Sequence, residues 1–178
     1  MGKGFLNQVL QATGIVAAVA IFFVLLSYAL GADFMVGPWA NLIAFVGVIV
    51  AMVITGKRYR NSIGGIISFG AMWKFLVSVT VIFAVALGLF EYLLFQVIDP
   101  EFHQILTEKT LELTYQRFQN FGIPEDQMAE LMEDTQKNIE AQSTFKGVLM
   151  GMGVRIVIYG IISLIIAAVL KKKDPEQL

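Results

Sequence analysis

Four apolar blocks divide this chain, and each is long enough to cross the hydrocarbon core of a bilayer. They run from about Gly14 to Leu30 (to residue 32 at the widest), from about Trp39 to Thr55, from about Phe69 to Ile98 and from about Phe145 to Leu170. A helix rises about 1.5 Å per residue, so the shortest of them just spans a core of about 30 Å. The third is longer than needed, which implies tilt or a start at the interface. A water-soluble domain of this length would be about 45–50% apolar and about 25% charged, whereas this one is 57% apolar and 15% charged. The fold class is therefore an all-α membrane protein whose surroundings include the lipid bilayer.

The polar residues are as unevenly placed as the apolar ones. Between Asp99 and Ser143 lie ten acidic residues and three basic ones, Lys109, Arg117 and Lys137. That segment carries −7, so with −1 for the whole chain everything else sums to +6. The cations flank the spans: Lys57, Arg58 and Arg60 follow the second block, and Lys171, Lys172 and Lys173 follow the fourth. The loop before the second block has no Lys or Arg. By the positive-inside bias both termini and the 56–70 loop face the cytoplasm, and residues 99–143 face outward. Such segregation reports topology and gives no reason to expect a nucleic-acid partner. The expected division is residues 1–98 with three spans, 99–143 as an acidic extracytoplasmic segment, and 144–178 with the fourth span and a basic tail. A cleaved signal peptide is the rival reading of the first block, since Ala29-Leu30-Gly31 offers small residues. The single Lys3 and the length of the run favour a retained helix.

The acidic segment reads as two helices. Asp99 before Pro100 is an N-cap followed by proline in the first turn. Phe102, Ile105, Leu106 and Leu113 keep helical spacing, with Leu111, Tyr115 and Phe118 widening the stripe. Gly122-Ile123-Pro124 ends that helix, and Glu125 and Asp126 open the next, where the helix dipole favours them. Met128, Leu131, Met132 and Ile139 form its apolar face. The simplest packing closes the two stripes on each other as a hairpin between spans three and four; an open stripe would dock a protein partner. The basic cluster Lys57–Arg60 is expected to stop the second span abruptly, with Asn61 to Gly65 as the turn beyond it.

Three ionisable residues fall in or at the edge of the spans. Lys74 is near a span end and can snorkel; with Trp39 and Trp73 it reads as an interface anchor. Glu91 and Arg155 are deeper, about 9 Å and about 13 Å from the outer boundary by helix rise. Spans three and four run antiparallel, so these two meet at similar depth and are expected to form an ion pair. The alternative use of Glu91 is ion- or proton-coupled transport. Catalysis has little to work with. There is no cysteine, the one histidine, His103, is in the acidic segment, and no acid–base–nucleophile set shares one depth. His103 with Asp99 and Glu101 falls short of a metal ligand set, and no cofactor motif is present. Small-residue spacings at Gly147/Gly151, Ala84/Gly88, Gly47/Ala51 and Gly14/Ala18 allow close helix approach. They leave the oligomeric state open.

The segment Gly64-Gly65-Ile66-Ile67-Ser68-Phe69-Gly70-Ala71-Met72-Trp73-Lys74 has the pattern GGxISFGxxxK. With the Asp99-Pro100 break, the acidic segment and the Ile166–Lys171 ending, the chain resembles a bacterial family of small integral membrane proteins. That family is called domain of unknown function 4199 and is seen mostly in Bacteroidota. The resemblance runs over nearly the whole chain in order and implies an inner-membrane location with residues 99–143 in the periplasm. It implies no activity and brings no catalytic residues. The function expected is that of a structural or accessory protein displaying a helical hairpin; a small transporter or channel is the second reading.

Overall fold

A few capping residues decide where each apolar block begins and ends as a helix. The structure is a computed structural model that describes residues 3–172. Among them are seven α-helices: α1 Lys3–Leu30, α2 Ala32–Met35, α3 Pro38–Ser62, α4 Phe69–Tyr92, α5 Pro100–Asn120, α6 Glu125–Ser143 and α7 Phe145–Leu170. A π-helical turn, Leu93–Ile98, continues α4. Four helices are long and apolar enough to cross a membrane, Gly4–Leu30, Pro38–Ser62, Phe69–Ile98 and Phe145–Leu170. The chain is a multi-pass α-helical membrane protein. Lys173 of the basic tail lies outside the described residues.

Two span ends differ from expectation. The polar leader is helical, so α1 begins at Lys3 and not near Gly14. The helix α3 runs through Lys57–Arg60 and stops only after Ser62. Cations mark a membrane boundary without breaking a helix, since Lys and Arg are good helix formers. The stop is made by Gly64 at φ 95°, where the Gly65 N–H donates to the Arg60 carbonyl and the Gly64 N–H to the Asn61 carbonyl. The turn after α5 is built the same way, with Gly122 at φ 72° and the Ile123 N–H on the Phe118 carbonyl. Helix starts follow ordinary capping: Ser68 Oγ accepts from Ala71 N at 3.3 Å, and Asp99 Oδ1 from Phe102 N at 3.0 Å.

The core lies among α1, α3, α4 and α7, with Phe75, Phe83, Met52, Met72, Leu76 and Val79 fully buried. α4 against α7 is the most extensive contact. There Gly88 sits under Met152, and Thr80 donates to Ser163 Oγ at 3.2 Å while Ser163 donates to the Tyr159 carbonyl. Gly47 likewise admits the Phe23 ring, whereas Gly14 and Ala18 face outward. At the Lys57–Arg60 end Tyr59 stacks on Phe75 at 3.9 Å, with Phe5 edge-on to both. The GGxISFG segment gains a role here. Ile67 pairs with Lys172 through two 3.0 Å backbone hydrogen bonds, and Arg60 donates to the Leu170 carbonyl. The α3–α4 loop thus fastens the last turn of α7.

Candidate functional site

At the opposite end, α4 and α7 carry Glu91 and Arg155. Arg155 Nη2 donates to both carboxylate oxygens of Glu91, at 2.8 and 3.1 Å. The Glu91 side chain is 29% exposed and the Arg155 side chain 26%. The pair forms because the helices are antiparallel and both residues face the seam between them, where an unpaired charge in the hydrocarbon would be costly. Pairing leaves one face of the guanidinium open, because Nε and Nη1 have no protein acceptor among the described residues.

The pair stands between two cavities, and that arrangement was not foreseen. One, about 310 Å³, runs among α1, α3, α4 and α7 from Asn41 and Met35 down to Tyr159. The other, about 720 Å³, lies between the α4 end and the α6–α7 corner and is lined by Gln96, His103, Asn138 and Gln142 as well as the pair. Its polar residues lie in separate helices, so no local spacing in the sequence marks them.

Above the pair, the polar helices are tied to the spans at their base. Tyr28 donates to Asp99 Oδ2 at 2.6 Å, and its ring packs edge-on against Phe102, which also stacks on Phe95. That hydrogen bond, with the capped Phe102 N–H, holds the Asp99 carboxyl below the usual carboxylate range. Lys109 bridges Asp33 and Glu112, both at 3.2 Å, and the two carboxylates, Glu112 first, raise its pKa. His103 Nε2 lies 2.8 Å from Ser143 Oγ, whose hydroxyl already donates to the Ile139 carbonyl, so Nε2–H is the donor. Burial lowers the His103 pKa, which keeps the ring neutral near pH 7.

The expectation that the two apolar stripes simply close on each other needs correction. α5 has no buried residue and α6 only Met128. α5 divides its contacts among α6, the π-helical turn and α2. Tyr28 and Asp33, which draw it toward α1 and α2, were missed because an interfacial tyrosine and a turn aspartate have no distinctive context in the sequence. Of the anchor candidates, Trp39 starts α3 and is largely exposed, while Trp73 and Lys74 sit exposed in the early turns of α4. No group of three metal-ligating side chains occurs among the described residues.

Four apolar spans, one half-buried ion pair and a polar two-helix segment define a small multi-pass membrane protein. The chain belongs to the family described as Protein of unknown function (DUF4199), whose model matches residues 12–172. No curated protein and no solved structure matches it.

Proposed function

We propose that this chain is a non-enzymatic accessory protein of the bacterial inner membrane. It displays α5 and α6 as a helical hairpin on the periplasmic side to dock a protein partner, with both termini in the cytoplasm. The observation that carries the reading is a set of large apolar side chains left exposed on these two helices. Ile105, Tyr115 and Leu131 are exposed along the two helices, and Phe121 at their turn is 83% exposed. Large apolar groups left on a polar, acidic surface mark interaction sites, and the excess of carboxylates selects a partner with a basic face. The ties through Asp99, Lys109 and His103 hold the hairpin in one orientation, which lowers the entropy lost on docking.

Mild-detergent purification after periplasmic crosslinking tests this. A partner captured by the native chain is expected to be lost when residues 99–143 are replaced by a short linker; survival of the partner would overturn docking through the hairpin. Because the chain has no cysteine, Gln119→Cys and Ser62→Cys give unique labels. An impermeant maleimide should reach Gln119→Cys in intact cells and Ser62→Cys only after lysis.

One observation favours the transport reading as second: Glu91 and Arg155 line both cavities. Loss of a solute flux in Glu91→Gln, with normal folding and insertion, would support it over the accessory role.

A further inference from the structure

None of Ile105, Tyr115, Phe121 and Leu131 lines the 720 Å³ cavity, whose size falls within the range of about 300–1,000 Å³ typical of ligand sites. Glu91 and Arg155 form one wall, and Gln96, Asn138 and Gln142 add amide groups toward α6. From Gly147 to Arg155 it follows α7 for about 12 Å by helix rise. The α7 wall stays low at Gly151, where a Cβ would meet nothing within 4 Å. Met150 and Val154, at 65% and 59% exposure, form the rim on the flank of α7. Both belong to the fourth span, so that rim opens toward lipid.

The charge of the cavity is balanced. Glu91 and Arg155 cancel, and His103 is held neutral by burial. A simple anion would be repelled by Glu91 and a simple cation by Arg155. The pair still has spare capacity on both sides. Arg155 gives only its Nη2 hydrogens to Glu91, leaving three of a guanidinium's five N–H groups. Each Glu91 oxygen accepts one of these bonds and has a lone pair to spare. A ligand that both accepts and donates charge-assisted hydrogen bonds fits such a pair without breaking it.

We infer that this cavity binds a phospholipid whose headgroup carries a phosphate and a primary ammonium. The phosphate sits on the free edge of Arg155, the ammonium on Glu91, and the acyl chains leave sideways into lipid past Val154. A trimethylated ammonium has no N–H to give Glu91, and a glycerol headgroup has no cation. A soluble phosphoethanolamine shares the polar chemistry but not the chains, so the two sources can be separated.

The test uses the full chain in nanodiscs equimolar in phosphatidylethanolamine, phosphatidylcholine and phosphatidylglycerol of matched chains, with retained lipid read by native mass spectrometry. Phosphatidylethanolamine is expected to be enriched roughly tenfold over phosphatidylcholine, the difference made by one charge-assisted hydrogen bond. Gly151→Leu fills the cavity while leaving both charges in place, and should bring the enrichment to parity. Arg155→Gln should do the same where it folds. Equal retention of the three lipids, or enrichment unchanged in Gly151→Leu, overturns the inference. Displacement of the lipid by millimolar free phosphoethanolamine would overturn the assignment to a lipid. Partner capture by the hairpin should be intact in Gly151→Leu, so this inference and the accessory reading fail separately.

Discussion

Neutralising the Glu91–Arg155 pair one side at a time and then together measures what holds α4 to α7. The N–O distance is 2.8 Å, which places the charge centres about 4 Å apart. At an effective dielectric of 20 that separation gives a gross attraction of about 4 kcal/mol. Desolvation opposes it, and both side chains keep about a quarter of their exposure (29% and 26%), so screening reduces it further. A net coupling of about 1–2 kcal/mol follows. Fully buried pairs lose about 3–5 kcal/mol when one partner is removed; with this exposure Glu91→Gln and Arg155→Gln should each cost about 2–3 kcal/mol. The double variant should lose about 1–2 kcal/mol less than the sum of the singles. Unfolding in mixed micelles, followed by the fluorescence of Trp39 and Trp73, gives the four free energies. A second arm exchanges the charges, Glu91→Arg with Arg155→Glu, and should recover part of the single-variant loss. Additivity within about 0.5 kcal/mol would refute the pairing as a source of stability.

Three further outcomes are expected. A Cβ at Gly147 would run into the backbone of Ala141 and Gln142, which cannot step aside, whereas one at Gly151 meets open space. Gly147→Ala should therefore lower stability by about 1–3 kcal/mol, and Gly151→Ala should raise it by up to about 1 kcal/mol, both read by thermal melting in detergent. The lowered pKa of Asp99 means its link to Tyr28 acts fully above the ordinary carboxylate value of about 4 and is lost as pH falls through the lower folded value. Tyr28→Phe should shift the Asp99 titration upward by NMR. His103 has the opposite character: its folded form binds fewer protons than the unfolded chain, so stability declines as pH drops through about 6.5. His103→Asn should flatten that slope in melting curves taken between pH 5 and 8.

Much of this architecture was legible because membrane folding writes large signals. Block length gave the spans, Asp99-Pro100 gave the cap of α5, and the antiparallel order of spans three and four put Glu91 opposite Arg155. What escaped has no local signature. Leu-Leu-Phe-Gln-Val-Ile reads like any apolar stretch, yet it winds as a π-helix, with the Asp99 N–H reaching five residues back to the Leu94 carbonyl at 2.9 Å. Lys57–Arg60 looked like a stop because charge was read as a helix end, while the chain treats it as a place to fasten α7. The larger cavity draws its walls from the α4 end, α5, α6 and α7, and no window of sequence contains all of them.

The π-helical turn sets a compass bearing. It holds one residue more than an α-helical path would need, and each residue of helix is worth about 100° of rotation. Adding one further residue to Leu93–Ile98, which the π-turn cannot absorb, would turn the exit of α5 by about that angle and carry Asp99 away from Tyr28. The same insertion between Phe121 and Pro124 would only lengthen a loop at the far end. The heading of the polar helices is thus counted out in residues just above Glu91, so their aim is far less tolerant of length change than their reach.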